Sequence, residues 1–174
     1  MKKTNITNFI LPIFLILAFI IFTFLVTKID VHPAGPKNSK IGFTTFNIAV
    51  HNLVGINLLW YKITDWLGLV PVFFAFTLTI LGFIQMIKQR SVFKVDKKLL
   101  LMGIFYILLI GLYLFFEKWI INFRPVLVEE MLEASYPSSH TMIAISILGT
   151  GIYFIKDYIK SKKIYMCIST FLMV

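Results

Sequence analysis

The chain has 174 residues, of which 59% are hydrophobic, 16% aromatic and only 14% charged, and 17 Lys and Arg against 8 Asp and Glu give a net charge of +9. That balance departs far from the mix of a soluble domain, because too few polar side chains are present to cover a water-facing surface. The excess of basic residues gives little support to nucleic-acid binding, since it follows the ends of apolar runs and reads as an orientation signal.

Four stretches lack any charged side chain over about the length that crosses a bilayer: Phe9 to Thr27, Trp66 to Ile87, Leu99 to Phe116 and Tyr136 to Ile155. A fifth, Ile164 to Val174, starts in the same way. The first run follows Lys2 and Lys3 as a secretory signal would. It is longer than the h-region of about 7 to 15 residues, and no small-x-small cleavage site follows it, so it reads as a retained span.

Eleven of the basic residues fall at the N-terminus (Lys2, Lys3), in 88–98 and in 156–163, and the other six are offset by six acids that include Asp65, Glu117, Glu129, Glu130 and Glu133. Basic residues in short loops tend to stay on the cytoplasmic side. The expected arrangement is a multi-pass cell-membrane protein with a cytoplasmic N-terminus and with 28–65 and 117–135 on the outer face. The fold class expected is all-α: a polytopic membrane helix bundle of four full transmembrane helices, a truncated fifth, and an outer interfacial amphipathic helix. Residues 1–174 read as a single integral-membrane domain, with no tandem repeat and no long linker.

In chain order, 28–42 is rich in Pro, Gly, Asn and Ser and reads as a turn-forming loop in which His32 is solvated. From Phe43 to Tyr61, Phe43, Phe46, Val50, Leu53 and Val54 recur at helical spacing while Thr44, Asn47 and His51 recur on another face, the pattern of an interfacial helix. Trp60, Tyr61 and Trp66 suit the aromatic belt. Gly149 and Gly151 allow close helix packing, and Cys167, the one cysteine, reads as a small buried apolar residue.

The residues able to do chemistry lie in "FFEKWIINFRPVLVEEMLEASYPSSHTM". A residue before proline is pushed towards extended backbone, so the third helix is expected to end near Phe123 and to leave Arg124 on an extended segment. There its planar fork of donors can grip a phosphate; it can equally cap the helix or meet lipid headgroups. Pro137 and Ser138 mark the next helix start, with Ser138 as N-cap and the N–H groups of Ser139, His140 and Thr141 directed outward. Such an end favours anions. His140 there can protonate a leaving oxygen, a role worth typically 10² to 10⁴ in rate; an ordinary cap with an interfacial histidine is the other reading of the same residues.

Arg124-Pro125 and Pro137-Ser138-Ser139-His140 resemble the first two motifs of the type 2 phosphatidic acid phosphatase superfamily, Lys-x6-Arg-Pro and Pro-Ser-Gly-His. The resemblance implies a six-helix membrane fold with an outward-facing site and a metal-independent reaction through a phosphohistidine, with no cofactor and a lipid phosphate as substrate. It implies that Arg124, Ser138 and Ser139 hold the phosphoryl group and that His140 is the general acid. The sequence departs from the pattern where Glu117 occupies the family lysine position, with Lys118 beside it as the phosphate-binding candidate one residue out of register, and where Ser139 replaces glycine. The third motif, Ser-Arg-x5-His-x3-Asp, has no counterpart after His140. The chain therefore reads as a C-terminally incomplete member, a lipid phosphate or pyrophosphate phosphatase in full-length form and inactive as it stands, or as a non-catalytic membrane protein that keeps a phosphate-binding surface. A channel subunit would need charged residues along a path through the spans, and the spans contain no Asp, Glu, Lys or Arg.

Overall fold

A computed structural model describes residues 7–127 and 132–173. Lys2, Lys3, Glu129, Glu130 and Val174, used above for orientation and span limits, lie outside them. The chain divides into two compact units, residues 1–56 with 120–137, and residues 57–119 with 138–174.

The first unit starts with α1 (Thr7–Lys28), which carries large apolar side chains on every side: Leu11, Phe14 and Ile21 are all more than half exposed. A helix that is hydrophobic all round belongs in lipid or in a large core. After it, His32 and Ile41 pair as an antiparallel bridge around the turn at 36–38. The Asp30 carbonyl then accepts the Thr44 N–H at 3.0 Å and its carboxylate accepts the Thr45 N–H at 2.7 Å, which satisfies the first donors of α2 (Thr44–Val54). Phe46, Leu53 and Val54 on α2 stay exposed, the apolar face that the spacing predicted.

The same unit contains a short hairpin that the sequence reading did not foresee, β1 (Asn122–Phe123) paired antiparallel with β2 (Ala134–Tyr136). Buried Asn122 accepts the Gly42 N–H at 2.7 Å through Oδ1 and donates to Ser135 Oγ at 3.0 Å. Gly42 is required here, since a Cβ on it would lie 1.8 Å from the Val26 carbonyl oxygen. Tyr136 packs its ring on Phe19 and Phe22 and shares a 3.0 Å hydrogen bond with Thr23.

The second unit holds α3 (Leu58–Leu67), α4 (Leu69–Gln89), α5 (Lys97–Lys118), α6 (Ser139–Ile155) and α7 (Lys162–Met173). Asn57 starts α3 by accepting the N–H groups of Leu59 and Trp60. The amphipathic helix expected over 43–61 therefore stops at Val54, because Gly55 takes a left-handed φ of 68° and Asn57 caps a new helix. Trp60 and Tyr61 belong to that new helix, and Leu58–Gln89 forms a 32-residue apolar helical stretch broken only at Gly68.

The core lies between α4, α5 and α6 and includes Leu78, Leu99, Met102, Leu109, Ile147 and Phe154. Within it Tyr106 and Thr150 share a 3.0 Å hydrogen bond, so each hydroxyl in this apolar core is satisfied by its neighbour. Gly151 is a true close approach, since a Cβ there would lie 2.1 Å from Phe74 Cε1. Gly149 has open space around it, so its expected packing role does not hold.

Among the described residues, three helical stretches are long and apolar enough to cross a membrane: Phe9–Lys28, Leu58–Gln89 and Lys97–Lys118. The fourth expected span is a shorter apolar helix of 17 residues, about 25 Å long, because 134–136 form β2 and α6 starts only after Pro137. The structure is thus a predominantly helical protein with several candidate membrane-spanning helices. Cys167, expected to be buried, is exposed on α7.

Candidate functional site

Arg124 belongs to the first unit. Helix α5 stops at Lys118, five residues before the expected end near Phe123, because β1 takes 122–123 and Arg124 continues the extended path. Its N–H donates to the Glu133 carbonyl at 3.0 Å, and its Nη1 lies 3.2 Å from Glu133 Oε2 with both side chains roughly a third exposed or less. The guanidinium is thus held beside the hairpin, where it meets the Glu133 carboxylate. A phosphate at Arg124 has to compete with this carboxylate.

The other candidates belong to the second unit and centre on the first turn of α6. Ser138 is the N-cap, and its Oγ accepts the Thr141 N–H at 3.3 Å and shares a 3.0 Å hydrogen bond with the Thr141 hydroxyl. The cap forms as the sequence predicts, with one correction: the Thr141 N–H is taken by the cap itself. The Ser139 and His140 N–H groups meet no acceptor among the described residues. Two donors at the positive end of a helix remain for an anion.

His140 projects from this turn towards the end of α3, where its Nε2 lies 3.3 Å from Asp65 Oδ1. Both side chains are more than half exposed, 62% and 58%, so water screens the pair and its contribution is directional more than energetic. With Nε2 turned to Asp65, Nδ1 is the nitrogen left to meet a ligand. Gly68 makes this placement possible, because a Cβ on it would lie 3.0 Å from His140 Cδ2 and 3.0 Å from the Asp65 carbonyl oxygen. The imidazole sits against bare backbone.

Asp65, Tyr113, Ser139 and His140 line one hollow of about 540 Å³, whose remaining walls include Trp66, Leu69 and Ile143. A second hollow of about 530 Å³ shares His140 and Gly68 with it and continues past Thr141, Ala144 and Leu148 along α6. His140 therefore stands between a hollow with several polar side chains in its walls and a second one lined mainly by apolar side chains.

Lys118 lines neither hollow and is exposed at the end of α5. Tyr113, which does line one, is four residues from Glu117 and five from Lys118. At about 100° per residue Glu117 stays roughly 40° from the Tyr113 face and Lys118 roughly 140° away. Asp65 and Tyr113 were not singled out in the sequence. The available signal for Asp65 was its place among outer-side acids next to the aromatic belt, and for Tyr113 only its hydroxyl near the end of an apolar run. Among the described residues no group of three or more His, Cys, Asp or Glu is arranged to hold a metal ion.

No family model matches the chain, and neither a curated protein nor a solved structure matches it.

Proposed function

We propose that this chain is a membrane protein that handles lipid phosphates, resembling the type 2 phosphatidic acid phosphatases, and that it binds a phosphate monoester at the first turn of α6. The observation that carries the reading is the pairing of two unbonded N–H groups, those of Ser139 and His140, with an imidazole oriented by Asp65 in a partly apolar hollow. The N–H groups and the Ser139 hydroxyl take phosphoryl oxygens. Arg124, held on extended backbone in the first unit, is a separate candidate for gripping a phosphate, and Ser138 keeps the turn of α6 in place as its cap. Lys118 supplies distant positive charge. For turnover, a water attacks phosphorus as the P–O bond to the leaving group breaks, His140 donates a proton from Nδ1 to the leaving oxygen so that it departs as a neutral alcohol, and the proton lost by the attacking water passes to solvent.

The bundle is proposed to cross the membrane with α6 as a fourth, short span and α7 as part of a fifth. The N-terminus is then cytoplasmic and the His140 end faces outward.

A second reading, a phosphate-binding membrane protein without turnover, is favoured by Glu133 at Arg124 and by Glu117 on the Tyr113 side of α5. The full chain, purified in neutral detergent and given phosphatidic acid and a polyprenyl pyrophosphate, separates the two. Phosphate release that disappears in His140→Ala supports the enzyme, and saturable binding without release supports the binder. If neither lipid binds more tightly than phosphatidylcholine, both readings fail.

A further inference from the structure

The other end of the second unit carries a different surface. Helix α6 runs from Ser139 to Ile155, so its C-terminus lies about 22 Å from His140. There the α4–α5 connection and the α6–α7 connection are tied together. Lys98 pairs with Asp157 and its ammonium lies 4.6 Å from the centre of the Tyr153 ring, while the Tyr158 hydroxyl donates to Asp96 Oδ2 at 3.0 Å. The Asp96 N–H is taken by Gln85 at 3.0 Å, and the Asp96 carboxylate also caps α5 by accepting the Lys98 N–H.

These ties bring 85–98 and 153–163 to one place, and the two segments contain nine basic side chains against two acids. Both acids are occupied by the contacts just described. Among the described residues the remaining eight cations have no acidic partner, and all eight are exposed. Between Arg90 and Lys94 the connection presents Phe93, which is 93% exposed, next to Val92 at 48%. A nearly bare phenyl ring at the tip of a cationic connection has no reason to face water. It suits insertion among acyl chains while the lysines reach the headgroup level.

We propose that this end is a binding surface for anionic phospholipid headgroups of the adjacent leaflet, with Phe93 inserted beneath them and the 88–97 and 156–163 cations above. Two features favour lipid over a soluble polyanion. The patch borders the apolar flanks of α4 and α5, and it carries an apolar anchor inside the charged field. Each cation near such a surface contributes roughly fivefold in affinity, an effect that salt screens.

Phosphatidylglycerol is the probe, because its phosphate is a diester that the proposed His140 site does not take, so failure here leaves that site untouched. The full chain in neutral detergent is titrated with phosphatidylglycerol and with phosphatidylcholine of the same acyl chains, and bound lipid is counted by native mass spectrometry. The expected preference for phosphatidylglycerol is at least tenfold at low salt and falls towards unity near 0.5 M NaCl. The triple variants Arg90→Gln/Lys94→Gln/Lys97→Gln and Lys160→Gln/Lys162→Gln/Lys163→Gln each reduce it at least tenfold. Lys98 is left intact because it packs on Tyr153. Phe93→Ser weakens both lipids alike and leaves their ratio unchanged. Lys37→Gln/Lys40→Gln/Lys62→Gln, with the same number of charges removed elsewhere, changes nothing, and helix content by circular dichroism is the same throughout. A preference unchanged in both triple variants, lost equally in the last control, or matched by tight capture of a short polyglutamate peptide overturns the proposal.

Discussion

Gly68→Ala is the sharpest probe of how His140 is placed. Gly68 has φ −59° and ψ −21°, a conformation any residue adopts, so the substitution adds no backbone strain. What it adds is a methyl group 3.0 Å from His140 Cδ2 and 3.0 Å from the Asp65 carbonyl oxygen. The His140 ring is the easier of the two to move, being 62% exposed, so overpacking costs stability only about 1 kcal/mol. The ring must shift by about half an ångström, and since a misplacement of about 1 Å in a site can cost about 10²-fold, the expected loss is about tenfold in phosphatidic acid binding or phosphate release. Gly82→Ala is the matched control: it sits in helix α4 with nothing within 4 Å of its Cβ, leaves binding unchanged and raises stability by about 0.5–1 kcal/mol. Isothermal titration of the full chain with phosphatidic acid reads both variants. Gly68→Ala binding within twofold of the parent protein refutes the idea that bare backbone at this position sets the imidazole.

Gly151→Ala places a methyl group 2.1 Å from Phe74 Cε1 and is expected to lower stability by about 1–3 kcal/mol, seen as a reduced Tm in detergent, while Gly149→Ala does not. Tyr106→Phe leaves Thr150 without its 3.0 Å partner and costs about 0.5–1 kcal/mol in the same assay. The Thr45 N–H holds the Asp30 carboxyl below its ordinary value of 3.8, with His32 helping. A carboxylate lowered in this way supports the start of α2 at pH values above its ordinary pKa, and the support is lost as pH falls through the lowered value. Limited proteolysis of 28–56 therefore accelerates from pH 6 to pH 3, and Asp30→Asn is already fast at pH 6 and flattens the dependence.

Much of the helical order was legible because apolar runs, caps and X-Pro pairs are local signals. Ser138 caps α6 and Arg124 leaves helical backbone where those signals put them. The hairpin was not legible, since its strands of two and three residues carry no alternating pattern and depend on Asn122 reaching Gly42, 80 residues earlier in the chain. The end of α5 moved for the same reason, as pairing of β1 with β2 claims the backbone groups that another helical turn would use. The partners Asp65 and Glu133 were visible only as charges on a presumed side of the membrane. Their roles come from tertiary placement, one beside His140 and the other beside Arg124, which no spacing rule reports.

Binding of phosphatidic acid by the full chain and by its His140→Ala variant, with phosphatidylglycerol as the diester reference, decides whether the first turn of α6 is a phosphate monoester site. Saturable binding of the monoester is expected to weaken at least tenfold in His140→Ala while diester binding stays the same. Equal affinity of the two proteins for phosphatidic acid refutes the site.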